Sequence, residues 1–211
     1  MKTGYAHIVM VVDRSGSMES IQRDAIGGFN TFLKDQKEVP GEATLTLIGF
    51  DDRYEVWQEW KSIQEVPDLT AQTFVPRGST ALLDAIGRTI NETGNRLETL
   101  PEIDRPERVI FVILTDGYEN SSKHFKMDQI AKMIAHQTDT YKWTFMFLAA
   151  NLDAIATASA MNIPAAAAMS YAGNAGGIDA LYRSVSSQVL SARFGRAVKF
   201  TQRDRDKAQN P

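Results

Sequence analysis

The stretch HIVMVVDRSGSM, residues 7–18, decides the fold of this chain because it joins a strand-like apolar run to a loop of oxygen donors. Residues 7–12 are almost continuously apolar, which is typical of a strand buried on both faces of a parallel sheet. Asp13, Ser15 and Ser17 follow directly. These residue types are equally typical of a polar turn that caps the following helix. From this stretch alone, a turn and the first part of a metal site are both open.

Further short apolar runs alternate with longer segments of helical period along the chain. This alternation predicts a βαβ architecture with a mostly parallel sheet. One run, at 53–60, alternates apolar and polar residues, which predicts a half-exposed edge strand in a hairpin with the run before it. The predicted strands are 7–12, 43–50, 53–60, 108–115, 143–150 and 165–171, and the predicted helices are 20–37, 79–97, 127–137, 153–161 and 177–192.

Composition places the chain among ordinary globular proteins. Of its 211 residues, 43% are hydrophobic and 23% charged, so we expect one domain with a sizeable core over residues 3–195. A net charge of −3 gives no electrostatic reason to expect nucleic acid as a specific partner, because phosphate binding needs a concentrated basic surface. The chain has no cysteine, which excludes disulfide bonds and thiolate metal ligands. The first apolar run spans only about seven residues, too few for a signal peptide or membrane span, so we expect a cytoplasmic protein.

Charge is concentrated at the carboxyl end. Residues 193–211 contain six Lys and Arg but two Asp, a local charge of +4 in a chain whose total is −3. We expect residues 196–211 to form a charged, solvated and partly mobile tail outside the domain.

Three predicted loops place oxygen donors at one edge of the sheet. In open α/β sheets, ligands bind beyond the carboxyl ends of the strands. Asp13, Ser15 and Ser17 follow the first strand, Thr80 lies in RGSTAL before the second long helix, and Asp116 follows the strand at 108–115. An all-oxygen set suits a hard divalent cation such as Mg²⁺.

Other residues near this edge have simpler interpretations. Ser79 or Thr80 is a suitable cap for the second helix. The residues 119–122 are either exposed loop residues, the simpler interpretation, or the rim of the site. Asn151 either shapes the floor of the site or forms a turn, while Asp51 and Asp52 fit a hairpin turn rather than metal ligands.

The D-x-S-x-S segment, the Thr in GSTAL and the Asp in LTDG together resemble the von Willebrand factor A (vWA) domain and its metal-ion-dependent adhesion site. The resemblance covers nearly the whole chain in order and spacing. It implies a doubly wound, Rossmann-like α/β fold with a mostly parallel six-stranded sheet of order 3-2-1-4-5-6, one antiparallel edge strand and flanking helices. It also implies Mg²⁺ or Mn²⁺, with Ca²⁺ as a further option, at the carboxyl edge of the sheet.

The resemblance further implies a role for each donor. Ser15, Ser17 and Thr80 would bind the metal through their hydroxyls, Thr80 either directly or through a water depending on conformational state. Asp13 and Asp116 would act mainly through waters. A carboxylate of a partner protein would fill the remaining coordination position. The expected function is therefore a metal-dependent protein-binding module and not an enzyme.

Two other functions compete with this one. A metal-assisted hydrolase or phosphotransferase could use the same cation but needs a general base, and the donor set has no paired His or Lys. A nucleotide-binding domain would carry G-x-G-x-x-G after the first strand, where this chain has DRSGSM.

The form DRSGSM looks like the intracellular prokaryotic and phage branch of the vWA family. Met18 and Glu19 stand where some adhesion receptors carry an acidic pair for a second cation, so one metal is expected. Relatives in that branch accompany AAA ATPases, stress systems or phage functions. The partners that the resemblance implies therefore include an AAA ATPase and a phage or host protein.

Overall fold

The computed structural model describes residues 1–150 and 153–211, and in this part of the chain six helices flank one six-stranded sheet. The sheet order is β3-β2-β1-β4-β5-β6, and every neighbouring pair is parallel except β2 and β3. This confirms the predicted fold class. The strands are β1 (Lys2–Asp13), β2 (Glu42–Phe50), β3 (Tyr54–Ser62), β4 (Pro106–Thr115), β5 (Thr144–Ala150) and β6 (Ala168–Tyr171). The helices are α1 (Gln22–Glu38), α2 (Leu82–Thr99), α3 (Met127–Tyr141), α4 (Ala154–Ala160), α5 (Ala175–Arg193) and α6 (Gln202–Gln209).

The central strand β1 supplies both hydrophobic cores because successive side chains of a strand point to opposite faces. Ile8, Met10 and Val12 pack into the core that contains α1 and α5. Val9 and Val11 pack into the other core, with α2 and α3. Burial on both faces explains why the sequence of this strand is almost continuously apolar. No helix in residues 1–150 or 153–211 is both long and apolar enough to cross a membrane.

The second long helix begins later than the sequence indicates. It starts at Leu82, and Ala81 at its N-cap makes no side-chain hydrogen bond, so the prediction that Ser79 or Thr80 caps it is wrong. Two side chains from a distant loop accept hydrogen bonds from the backbone N–H groups of its first turn instead. The backbone N–H of Leu83 donates to Glu119 Oε2 (2.9 Å), and that of Asp84 donates to Ser122 Oγ (3.0 Å). Thr80 is thereby left in the loop, outside the helix.

The carboxyl-terminal segment packs against the domain. Phe200 and Ala208 are buried in the core that contains α5. The N–H of Phe200 donates to the carbonyl of Ala166 (2.9 Å), and the N–H of Ala172 donates to that of Ala208 (2.8 Å). Arg205 adds hydrogen bonds to carbonyls beside β6. The expectation of a solvated tail is therefore wrong for these residues, because Phe200 and Ala208 anchor an otherwise polar segment.

Parallel pairing brings the predicted loops together. β1 lies between β2 and β4, with Asp13 opposite Phe50 and Val12 opposite Leu114. The carboxyl ends of β1 and β4 therefore lie side by side, and the residues that follow them share one edge of the sheet.

Candidate metal centre

Asp13 is the anchor of the candidate site. It is the last residue of β1, and its side chain is fully buried. The N–H of Ser15 donates to Oδ1 (2.7 Å), and the hydroxyl of Thr115 donates to Oδ2 (2.6 Å). Both carboxylate oxygens are thus held by the loop itself and by the end of the neighbouring strand β4.

Ser15 and Ser17 bring their hydroxyls together, as their spacing predicts. The two Oγ atoms are 3.1 Å apart, and Ser17 Oγ donates to Asp116 Oδ1 at 2.7 Å. Ser15 is buried, whereas Ser17 is exposed. Because its proton is directed at the Asp116 carboxylate, the lone pairs of Ser17 Oγ remain available to a cation that arrives from solvent.

Thr80 lies on a second loop that the third loop holds in place. Its N–H donates to Asn120 Oδ1 (2.9 Å), and the N–H of Asn120 donates back to its carbonyl (3.1 Å). A methyl group added at Gly117 would lie 3.5 Å from Thr80 Oγ1 and 3.7 Å from Ser17 Oγ. Hydroxyls from the first and second loops thus approach the same glycine, which directly follows Asp116.

The two carboxylates carry an electrostatic cost. Burial raises the pKa of Asp13 to about 6 and is opposed by the hydrogen bonds from Thr115 and Ser15. The charge of Asp116 acts in the same direction as burial on the pKa of Asp13. Burial also raises the pKa of Asp116, against the hydrogen bond from Ser17. A bound divalent cation would offset both effects, because an opposite charge favours the ionised form.

The structure thus brings together all five predicted residues, and their chemistry fits a hard cation. Three hydroxyls and two carboxylates give only oxygen donors, the kind that Mg²⁺ and Ca²⁺ prefer. Within residues 1–150 and 153–211, no group of three or more His, Asp or Glu is placed to hold a metal, so hydroxyls are essential to any site here. Metal binding by Asp13, Ser15, Ser17, Thr80 and Asp116 stays a prediction.

Several supporting residues were not identified from the sequence. Thr115 orients Asp13, and the hydroxyl of Tyr171 in β6 donates to the carbonyl of Thr115 (3.0 Å). Asn120 holds Thr80, while Glu119 and Ser122 cap α2, so these loop residues have structural roles. Asn151 lies outside the described residues. The polar character of LTDGYENSS signals a functional loop, but spacing does not reveal which side chain supports which donor.

Comparison with solved structures identifies the fold. A von Willebrand factor type A protein from Catenulispora acidiphila superimposes with a TM-score of 0.56 over 88% of this chain, at 15% identity. Proximal thread matrix protein 1 from the mussel byssus, with a zinc-occupied MIDAS (metal-ion-dependent adhesion site) motif, superimposes with a TM-score of 0.60 over 89% of this chain, at 15% identity. The ArnB paralog VWA2 from Sulfolobus acidocaldarius superimposes with a TM-score of 0.52 over 86% of this chain, at 18% identity. The chain therefore has the fold of vWA domains.

The sequence itself has diverged far from these structures. No family model matches the chain, and no curated protein matches it in sequence. The chain spans less than half of each of the three similar structures: 42% of the Catenulispora chain, 46% of the byssus protein and 44% of the Sulfolobus protein.

Proposed function

We propose that this chain, which has the fold of vWA domains, is a divalent-cation-dependent protein-binding module. In this proposal Ser15, Ser17 and Thr80 hold the cation through their hydroxyls, and Asp13 and Asp116 order the surrounding waters and balance the charge. The observation that carries it is the convergence of hydroxyls and carboxylates from three loops at one edge of the sheet, linked by the Ser17–Asp116 hydrogen bond of 2.7 Å.

Mg²⁺ or Mn²⁺ is the proposed cation. Mg²⁺ keeps several waters and needs few protein ligands, which suits three hydroxyls, whereas Ca²⁺ takes six to eight oxygens and is the less favoured alternative. The byssus protein carries zinc in its MIDAS motif, which supports a divalent ion at the equivalent place. When bound, the cation supplies a positive centre that attracts an external carboxylate.

The proposed partner is a protein that presents an Asp or Glu side chain. Because the proposed direct ligands are neutral hydroxyls and the two carboxylates act through waters, the cation can still attract a negatively charged group from outside. Ser17 is exposed and the other four donors are buried, so a partner would approach on the Ser17 side. A cytoplasmic prokaryotic or phage setting, with an AAA ATPase or a phage or host protein as partner, belongs to the same proposal and is supported by the DRSGSM form.

Isothermal titration with MgCl₂ and MnCl₂ tests the metal site directly. We expect one cation per chain for the unaltered protein and loss of binding for Ser15→Ala combined with Ser17→Ala. The matched control, Ser159→Ala on the exposed face of α4, should bind as the unaltered protein does. Equal binding by the double variant would contradict the assignment of the two serines.

Affinity purification tests the bridging mechanism. The immobilised protein is exposed to extract in Mg²⁺, and proteins released by EDTA are identified. The same extract is passed in parallel over immobilised Asp13→Ala protein. A partner that stays bound in EDTA and also binds Asp13→Ala would show that no cation joins the two proteins.

The alternative, a metal-assisted hydrolase or phosphotransferase, has less support. A reaction of that kind needs a general base within hydrogen-bonding reach of the nucleophile. Within the part of the chain that the structure describes, the hydroxyls of Ser15, Ser17 and Thr80 make no hydrogen bond to His or Lys. Magnesium-dependent turnover of p-nitrophenyl phosphate that is lost in Asp116→Ala would favour this alternative.

A further inference from the structure

Two arginines and two carboxylates form a closed ring beside the metal loops. Arg14 Nη1 lies 2.6 Å from Glu55 Oε2, and Arg14 Nε lies 3.2 Å from Asp51 Oδ2. Arg77 Nε lies 2.7 Å from the same Asp51 oxygen, and Arg77 Nη2 lies 2.7 Å from Glu55 Oε1. Each carboxylate therefore contacts both guanidinium groups. We call these four residues the arginine–carboxylate ring.

Half of the ring is desolvated. The side chain of Arg14 is 3% exposed and that of Asp51 is fully buried, whereas Arg77 and Glu55 are 40% and 43% exposed. Arg14 Nη2 is buried without a hydrogen-bond partner in the described part of the chain. A buried cation is stable only when opposite charges compensate it, so Arg14 depends on the two carboxylates. The hydrogen bond from Arg14 is the main reason that the pKa of Glu55 is lowered to about 2.

The ring joins the first metal loop to the second. Arg14 stands between Asp13 and Ser15, and Arg77 precedes Thr80 by three residues. Backbone hydrogen bonds run alongside: Arg77 N–H to the Arg14 carbonyl (2.8 Å) and Gly16 N–H to the Gly78 carbonyl (3.2 Å). The backbone carbonyl of Asp51 also accepts a hydrogen bond from the N–H of Ala81 (2.9 Å). The hairpin between β2 and β3 thus contacts the Thr80 loop on both sides of Thr80.

The Thr80 loop needs this support because it has little regular structure of its own. Residues 66–81 form neither helix nor strand. Their path is therefore set by contacts to other elements, and the ring supplies the ion pairs nearest to Thr80. A shift of the loop would move Thr80 Oγ1 relative to the hydroxyls of Ser15 and Ser17.

We propose that the arginine–carboxylate ring positions Thr80 as a metal ligand and so sets both the affinity of the site and the number of waters left on the cation. Arg77 is the positioning residue, because it joins both carboxylates while lying outside the first loop. The inference rests on the proposed function, since it requires a cation at the site.

Arg77→Ala is a useful test because loss of positioning and loss of charge should change the cation affinity in opposite directions. Removal of a positive charge beside the site should strengthen cation binding by Coulomb's law. Loss of the positioning contacts should weaken it, and we expect about 10- to 100-fold weaker Mn²⁺ binding, the usual effect of removing a residue that orients a metal ligand. The matched control is Arg183→Ala, which removes an equal charge from an exposed pair on α5 and should leave Mn²⁺ binding unchanged.

Two readouts separate positioning from a merely structural role. Mn²⁺ affinity is measured by titration, and water-proton relaxation of the saturated complex reports how many waters the Mn²⁺ carries. We expect higher relaxivity for Arg77→Ala, because water replaces Thr80. Arg77→Lys keeps the charge but cannot span both carboxylates with one ammonium group, so it should also bind Mn²⁺ more weakly than the unaltered chain and more tightly than Arg77→Ala.

Equal or tighter Mn²⁺ binding by Arg77→Ala and Arg77→Lys, with unchanged relaxivity, would overturn the inference and leave the proposed function intact. If Arg77→Ala fails to fold, as judged by its circular dichroism, the comparison rests on Arg77→Lys. Absence of Mn²⁺ binding by the unaltered chain would overturn the proposed function and this inference together.

Discussion

Replacement of Asp13 by Asn should stabilise the metal-free protein while abolishing its metal binding. Most substitutions of a fully buried residue destabilise a protein, so the expected sign is unusual. The reason is that Asp13 must be ionised at neutral pH although burial raises its pKa from 3.8 to about 6. The folded protein therefore carries a charge that the unfolded chain holds at lower cost.

The size of the effect follows from that pKa. The difference between 3.8 and about 6 corresponds to about 3 kcal/mol of stability lost at pH 8, at 1.36 kcal/mol per pKa unit. Asn fits the same space. Its oxygen can accept from Ser15 N–H, and its amide can donate to Thr115 Oγ1, whose own proton is then directed at the Gly117 carbonyl, now 3.2 Å away. Neutral hydrogen bonds are weaker than charged ones, so we expect a net gain of about 1 to 2 kcal/mol.

The gain should depend on pH with a definite sign. Because the pKa is raised in the folded state, the folded protein binds the proton more tightly, and the unaltered protein becomes more stable relative to Asp13→Asn as pH falls from about 6 towards 3.8. The contribution of the buried charge is therefore full at pH 8 and falls to about 0.5 kcal/mol at pH 4, so the advantage of Asn should be lost by pH 4.

Urea unfolding in EDTA at pH 8 and pH 4 measures these differences. Asp68→Asn, at an exposed loop position, is the matched control and should change the free energy of unfolding by less than about 0.5 kcal/mol. With saturating Mg²⁺ the order should reverse, because only the unaltered protein gains binding energy. A lower stability of Asp13→Asn than of the unaltered protein at pH 8 in EDTA would refute the assignment of a desolvated carboxylate.

Four further outcomes are expected. Mg²⁺ at 100 times its Kd should raise the free energy of unfolding by about 2.7 kcal/mol in a thermal or urea titration. Thr80→Val should lower the Mg²⁺ affinity, and an unchanged affinity would exclude Thr80 as a ligand. Mg²⁺ affinity measured by calorimetry should fall about tenfold between pH 7 and pH 5, because Asp13 must be ionised to take part and its pKa is about 6; a flat profile would show that Asp13 is not coupled to the metal. Phe200→Ala should cost about 3 to 5 kcal/mol of unfolding free energy, since this side chain is buried, while Phe194→Ala, 53% exposed, should cost little; equal effects would contradict the packing of the carboxyl-terminal segment.

The sheet and the convergence of the five candidate residues at one of its edges could be predicted because both depend on local sequence. Continuous apolar runs report strands buried on both faces, as at Val9 to Val12, and alternation in residues 53–60 reports the edge strand. The order of strands came from the resemblance, since periodicity does not contain it. The donors could be named because each directly follows a strand or precedes a helix.

What escaped prediction depends on contacts between distant residues. Glu119 caps α2 across 36 residues, so the start of that helix cannot be found from its own sequence. Asp51 has the sequence context of a turn residue, yet it is buried against Arg77 and Arg14. In the carboxyl-terminal segment, the charged composition indicates a solvated tail, although Phe200 and Ala208 pack into the core and hold the segment against the domain.

The packing of that segment also bears on self-association. β6 is the outermost strand of the sheet, and an uncovered edge offers its N–H and C=O groups to the edge of another molecule. Here Arg205 and Phe200 occupy carbonyls at and beside β6, and α6 lies over its end. A shortened version that stops at residue 195 would expose this edge together with the apolar surface beneath Phe200. Such a version should form oligomers by strand pairing as its concentration rises, which size-exclusion chromatography at increasing concentration would detect.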